Sequence, residues 1–584
     1  MMSRRVALLL VLSAVVALVV AACGGGDATA TPVPPTATTR PAPTAAPPTA
    51  TSAPAPVATA APVPTATRPP APTATPAGPA PKIGGTFQPR WYVDSRNWDV
   101  WHAAGGFNTG FVKNMMSNLV QFRPGTFEIA EDLATTWNSS ADGKVLTFGI
   151  RKDASWHDGK PVTARDVMYT FNRGNDPAFN FNKSRVRLIE KMETPDDSTL
   201  KVTLSSVSNS FLANVAGAFM LIYPSHITDM AVWQKNPVGS GPFVLKSDKP
   251  DVAYDFTKNP KYYRKDAAGT TLPYLDAITF NVIVDPQLSL SAFRSGRIHC
   301  GCIFDQNWTN ANIEALRRDI PGLKEGVAVG GVRSLYFNAK KAPFNNAALR
   351  QAVAIGLDKE AVTSTYEGGK QNYGPAPFLV PPELGGQWGL PKAELQKFPG
   401  LNPNHAADTA LAKQKFKEAG VEPSSLNIRL LGSNFYKPLG DLLASVLISD
   451  LGIKTSVDSP ASTIEINQQR LSGNFDILMI ADSQSIDDPS DRFSEYIITG
   501  GADNLAGYSN PRVDDLMAQQ DREQDPAKRR QMLWDIQRVL LTETPMMPLF
   551  FIKNVRALRP EVNNYKAGPL HIQNFDFSEI WLDK

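Results

Sequence analysis

The sequence predicts a mixed α/β protein of more than one folded unit, and three observations lead there. From Lys82 to Lys584 the chain runs for about 500 residues of ordinary globular composition, too many for one hydrophobic core and enough for two or three sub-domains. Runs that alternate apolar and polar residues, such as Leu426, Ile428 and Leu430, are interleaved with runs of helical spacing, such as Leu442 to Leu451,. Glycine and proline stand between them: Gly420 stops a helix over Ala410 to Ala419, and Asp525-Pro526 starts one in which Leu533, Ile536 and Leu540 share a face,.

The N-terminus is of a different kind. Arg4 and Arg5 head an almost unbroken apolar run, Val6 to Val20, of about fifteen residues, which is signal-peptide length. A membrane-spanning helix needs about twenty. The stretch Val20-Ala21-Ala22-Cys23 resembles a bacterial lipobox. That resemblance implies removal of residues 1–22 as a signal peptide, a diacylglycerol on the Cys23 thiol and acylation of the freed amine. Two or three acyl chains, at ~0.8 kcal/mol per buried methylene, hold a soluble domain at a membrane surface. An ordinary cleaved signal with an incidental cysteine is the alternative reading.

Residues 23–81 carry no aromatic side chain, and residues 31–80 hold sixteen of the 48 prolines. With so little apolar bulk the segment cannot offset its ordering entropy by burial, so it reads as a disordered tether. Its prolines favour extended polyproline II at ~3.1 Å per residue, long enough to hold a domain tens of ångströms from a membrane. Threonines beside the prolines suit O-glycosylation.

Several function classes are excluded. A net charge of +3 and the lack of a sustained basic run in the folded part argue against nucleic acid as partner,. No second apolar run approaches spanning length. The six histidines are scattered, and no Gly-x-Ser-x-Gly elbow, Walker A loop or His-Glu-x-x-His motif is present,. Beyond Cys23, the cysteines are Cys300 and Cys302, beside His299. A soft-metal or redox site is one reading; a local disulfide or two buried thiols is the other, and it is preferred because ligands packed into four residues rarely converge on one ion. No metal and no cofactor are therefore expected.

Along the folded chain, Gly84-Gly85-Thr86-Phe87 opens a strand. Phe111 to Phe122, with Met115, Met116 and Leu119, predicts a helix,. The block Ile129 to Trp137 leads to an Asp142-Gly143 turn, then Leu146 to Arg151 alternates as a strand and Trp156-His157-Asp158-Gly159 turns again,. Thr163 is the expected N-cap, with Asp166 three residues on, of a helix through Met168 and Phe171,. Asn345 or Asn346 caps a helix whose Leu349, Val353 and Leu357 share a face,.

The order of these pieces resembles the family 5 extracellular solute-binding proteins of ABC importers, the dipeptide-, oligopeptide- and nickel-binding relatives. The resemblance continues through Asn236 to Phe243, Asn259-Pro260-Lys261-Tyr262-Tyr263, Leu272 to Ile278, Phe337-Asn338 to Lys359, and Asn504 to Pro511. Glu131 stands where that family has proline. Tyr262, Tyr263 and Tyr274 read as packing residues.

The fold this implies is a two-lobed, periplasmic-binding-protein-like α/β fold with an extra sub-domain in the first lobe and a hinge between the lobes. Lobe I is expected at 82–120, 233–330 and 548–584, the extra sub-domain at 121–232, and lobe II at 331–547. The function implied is a lipid-anchored, extracytoplasmic receptor, monomeric, that closes around a solute and delivers it to ABC permease subunits. A peptide is the expected ligand; an oligosaccharide or a metal chelate is the alternative.

In peptide-binding relatives an aspartate at the start of the loop before an "(N/D)-x-x-D-P" run pairs with the ligand's amino terminus. Asp482 is the nearest match, in Asp482-Ser483-Gln484-Ser485-Ile486-Asp487-Asp488-Pro489. The loop is longer than in the family, and the tryptophan usual before the aspartate is absent. As catalytic acids of a secreted hydrolase, Asp482, Asp487 and Asp488 need a spatially placed partner that sequence does not reveal. The opposite wall is expected after the first strand, where Trp98, Trp101 and Phe107 offer aromatic surface to a ligand or, equally, to the core of the first lobe,.

Overall fold

The computed structural model describes residues 80–584 except 92–96, 102–108, 175–182, 302–307, 309, 368–375, 377, 385, 403–404, 461–462, 483–485, 487, 502–503, 568–574 and 584. The predicted signal, the tether and Cys23 lie outside this range.

The folded chain opens with β1 (Thr86–Phe87) and β2 (Arg90–Trp91) and then leaves to build the extra sub-domain. There β3 (Val120–Phe122) pairs with β4 (Ile129–Glu131), and β5 (Ala134–Ser139), β6 (Val145–Ile150), β7 (Ile189–Asp196) and β8 (Thr199–Leu204) form an antiparallel sheet in the order β5-β6-β8-β7. The chain returns as β9 (Phe243–Lys249), β10 (Ala253–Lys258) and β11 (Ala277–Val282), and β1 and β2 join this first-lobe sheet parallel to β11.

The predicted helix over Phe111 to Phe122 is not one helix. Four residues, Thr109–Val112, are helical, and Val120–Phe122 is β3. Met115, Met116 and Leu119 are buried as expected, but the chain around Met115 packs against a neighbouring turn. A Cβ on Gly239 would stand 2.0 Å from the Met115 carbonyl oxygen and one on Gly241 2.6 Å from its carbonyl carbon, so the turn needs two glycines. The helix after Thr163 is present, Ala164–Arg173, with the Thr163 N–H donating to Asp166 Oδ2 at 2.7 Å. Tyr262, Tyr263 and Tyr274 are all buried.

The second-lobe sheet comprises β12 (Lys324–Phe337), β13 (Asn427–Leu431), β14 (Lys454–Asp458), β15 (Ile477–Asp482) and β16 (Met546–Leu558), in the order β14-β13-β15-β12-β16. β13, β14 and β15 are parallel, and helices His405–Ala419, Lys437–Leu451 and Pro526–Glu543 stand where the sequence predicts them. A short antiparallel pair, β17 (Val562–Asn563) and β18 (Trp581–Leu582), closes the chain.

β12 and β16 join the two halves. They pair antiparallel from Lys324 opposite Leu558 to Tyr336 opposite Met546. At one end Leu558 packs into the first-lobe core with Phe87 and Trp91, and Ala557 packs with Phe293 and Ile298. At the other end Leu335, Phe337, Leu549 and Phe550 pack with Val353, Ile428 and Leu443 of the second lobe. Two continuous strands thus pass from one core to another, and their register breaks between Val329 and Gly331 and again between Arg333 and Ser334. Bulges of this kind bend a ladder locally. Leu549 and Phe550 of β16 belong to the second core.

Candidate functional site

Asp482 is the last residue of β15, and its backbone stands opposite Val332 of β12. Because β13 and β15 run parallel, their carboxyl ends lie at one edge of the sheet, the edge at which open α/β sheets hold ligands. The segment after β13 is tied to the same place. Tyr436 Oη accepts from the Ala481 N–H at 3.1 Å and from Arg333 Nη1 at 3.0 Å, and the Arg333 guanidinium lies 5.1 Å from the Phe435 ring and 4.8 Å from the Tyr436 ring. Phe435 is 47% exposed, a large apolar surface left open beside a buried arginine.

Next to this edge lies a small apolar cluster. Val332 and Phe551 from the crossing strands pack with Ala376 and Val380 of the second lobe, and Phe127, from the β3–β4 connection of the extra sub-domain, packs onto them. The loop after Asp482 also reaches that sub-domain, since a Cβ on Gly217 would lie 3.6 Å from Ile486 Cγ2. The end of β15 is therefore the point at which the crossing strands, the second lobe and the extra sub-domain converge.

The other acids of that run separate. Asp487 lies outside the described residues. Asp488 caps the helix Pro489–Tyr496 through the Ser490 N–H at 3.0 Å and accepts from Arg529 Nη2 at 2.8 Å. Burial raises its carboxyl above the ordinary carboxylate range, against the opposing pull of Arg529. Arg529 in turn donates through Nε to Gln520 Oε1 at 2.9 Å and lies 4.5 Å from the Trp388 ring. Both Asp488 oxygens have a structural partner, so Asp488 holds a helix and a loop in place.

The aromatic wall expected from the first lobe is core. Trp98 is 3% exposed, edge-on to Phe111 and Tyr254 at 5.1 and 5.6 Å, and Trp101 is 0% exposed with its indole N–H on the Leu221 carbonyl at 3.1 Å. Their surface is taken by protein, as in the core reading of the two that the sequence leaves open. Phe107 lies outside the described residues. His299 is buried, with Nδ1 accepting from the Gln88 N–H at 3.1 Å. Cys300 is buried and disulfide-bonded; Cys302 lies outside the described residues. Among the described residues no group of three His, Cys, Asp or Glu side chains is placed to hold a metal.

Two cavities lie elsewhere. One of about 220 Å3, inside the second lobe, is lined by Ile355, Phe398, Leu540 and Met547 and by Lys359, whose ammonium burial pushes down to about 8. The other, of about 370 Å3, lies between the extra sub-domain and the second lobe, with Arg187 and Ser206 on one side and Ser490, Asp514 and Arg522 on the other. Sequence reasoning missed Phe127, which packs onto Val332 and Phe551, and the separate group of Arg333, Phe435 and Tyr436; both arise only through tertiary pairing and carry no motif.

Comparison with known proteins gives a consistent picture. The family model for bacterial extracellular solute-binding proteins, family 5, matches residues 128–504. Di/tripeptide-binding protein 1 of Pseudomonas aeruginosa is 24% identical over 523 residues, covering 84% of this chain and 91% of its own length. Di/tripeptide-binding protein 4 of the same organism is 27% identical over 509 residues, covering 80% of this chain and 90% of its own. Among solved structures, the ABC transporter-associated periplasmic binding protein DppA from Helicobacter pylori, in complex with peptide STSA, superposes with a TM-score of 0.69 at 23% identity, covering 86% of this chain and 99% of its own.

Proposed function

Because the chain belongs to the bacterial extracellular solute-binding proteins of family 5, we propose that it is the lipid-anchored, extracytoplasmic receptor of an ABC importer, that it captures a peptide between its lobes, and that it delivers it to the permease. The observation that carries this reading is the convergence at the end of β15: Asp482 stands at the carboxyl edge of the second-lobe sheet, beside the strands that cross to the first lobe and against a loop that touches the extra sub-domain. A ligand held there contacts every moving part, so closure about β12 and β16 encloses it, and its binding energy selects the closed form. The di- and tripeptide specificity in the names of the relatives supports a peptide. Cys23 anchors the receptor through its lipid, and residues 24–81 give it reach.

Native mass spectrometry of residues 82–584, purified gently and then denatured, tests the reading. A ladder of short peptides released on denaturation is expected. A single sugar or metal chelate keeps the receptor and replaces the solute. An empty protein with no thermal shift from any peptide, sugar or metal pool overturns the transport role.

A further inference from the structure

The extra sub-domain and the second lobe meet in a second place, away from Asp482. The loop 205–210 follows β8 and precedes the helix Phe211–Ala216. Within it the Asn209 backbone N–H donates to the Asp521 carbonyl at 2.8 Å. Its side-chain amide Nδ2 donates to the carbonyls of Gln520, at 3.4 Å, and Glu523, and its Oδ1 accepts from Gln524 Nε2 at 3.1 Å. The adjoining Ser210 N–H donates to Asp521 Oδ1 at 3.1 Å. These partners are more than 300 residues apart in sequence, and they belong to different lobes.

Two of the acceptors close a helix. Gln520 ends the helix Pro511–Gln520 and Asp521 is its C-cap, and the last carbonyls of a helix have no partner within it. Asn209 thus caps the end of that helix from the extra sub-domain. Gln520 also links the contact to the site: its Oε1 accepts from Arg529, Arg529 holds Asp488, and Asp488 ends the loop that begins after Asp482. The cavity of about 370 Å3 between the extra sub-domain and the second lobe is lined in part by Gln520 and Asp521, so it adjoins this contact.

We propose that Asn209 is a closure latch, whose bonds to the end of the Pro511–Gln520 helix set the fraction of closed receptor and so tune ligand affinity without touching the ligand. The inference rests on the reading that the lobes close around a solute. Affinity for a state populated only in part falls in proportion to that population, so a latch residue acts on ligand dissociation although it lies outside the ligand site.

The test uses residues 82–584 with Asn209→Ala on one side of the seam, Asp521→Ala on the other, and the double variant. A mixed di- and tripeptide pool serves as probe, with small-angle X-ray scattering and peptide affinity as readouts. Each single variant is expected to weaken peptide binding about tenfold, mainly through faster dissociation, and to shift the scattering toward a larger radius of gyration, with the apo melting temperature unchanged. The double variant should lose more than either single one, because Asn209→Ala removes the side-chain bonds to the Gln520 and Glu523 carbonyls and Asp521→Ala removes the separate bond from the Ser210 N–H. Equal affinity and equal radius of gyration in variants and parent overturn the latch. If the parent neither binds peptide nor compacts with it, the receptor reading has failed instead. The ligand-free scattering then decides the latch alone: an expanded Asn209→Ala supports it and an unchanged one overturns it.

Discussion

Asp488 accepts a hydrogen bond from Arg529 at 2.8 Å with both side chains buried, 3% and 7% exposed, so that one ion pair joins the loop beyond β15 to the helix Pro526–Glu543. Removing one partner leaves the other charge uncompensated in a dry place, at about 3–5 kcal/mol. Arg529→Met is expected to lower the denaturant midpoint strongly, and Asp488→Ala with Arg529→Met to lower it less than the sum of the two. The pH dependence has a definite sign. Burial already raises Asp488, and a group raised in the folded state contributes stability below its unfolded pKa that is lost as pH rises. The deficit of Arg529→Met should therefore shrink on acidification. A deficit that grows with acid would show that Asp488 is not the group left behind.

His157 supplies a second pH prediction. Its Nδ1 accepts from the Gly239 N–H at 3.3 Å, which leaves Nε2 to donate to the Gly241 carbonyl at 3.1 Å, so the neutral ring fits and the charged one does not. Burial pushes its pKa down to about 4. A group depressed in the folded state contributes stability above its unfolded pKa that is lost as pH falls toward the folded one. Stability should thus decline between about pH 6.5 and 4, by at most about 3 kcal/mol from this ring. His157→Gln should flatten that interval in urea titrations, and an unchanged slope would assign the loss to other groups.

Trp101 separates packing from binding. It is fully buried with its indole N–H satisfied, so Trp101→Ala is expected to destabilise by about 3–5 kcal/mol. At a temperature where the variant is folded, peptide affinity should match the parent. A selective loss of affinity with normal stability would restore it to the ligand wall.

Where the sequence was readable, local and tertiary signals agreed. Gly420 and Gly452 stop helices in the left-handed region, Asn346 and Asp525 cap the helices that follow them, and Ile428 and Leu430 are buried on β13. Where it misled, a neighbour decided. Met115, Met116 and Leu119 have helical spacing, yet Val120–Phe122 finds a strand partner in Ile129–Glu131 and the Gly239–Gly241 turn presses on Met115. For the site, the acidic run was visible but its division was not. Asp482 ends a strand while Asp488 is claimed by Arg529, 41 residues away. The meeting of Asn209 with Asp521 leaves no local trace, because one asparagine in a Ser-rich turn looks like any other.

The anchor is tested at Cys23. Cys23→Ser removes the only thiol that the signal sequence places for acylation. If Cys23 is the anchor, the variant should leave the membrane fraction for the soluble one while binding peptide as before, because a polyproline-rich tether would separate anchor from fold. A variant that stays with the membrane would mean that residues 1–22 are retained or that the folded part has its own affinity for lipid.

The sharpest test of the ligand chemistry lies at Asp482. If its carboxylate pairs with the amino terminus of a bound peptide, Asp482→Asn keeps the size of the side chain and removes its charge, and charge-assisted hydrogen bonds contribute about 1.5–3 kcal/mol. Affinity for a free dipeptide should then fall about ten- to a hundredfold by titration calorimetry. The same peptide acetylated at its amino terminus should bind the parent weakly and the variant no worse, since the interaction is absent from both. Equal losses for free and acetylated peptides would place Asp482 in the structure of the loop and leave the amino terminus to another partner.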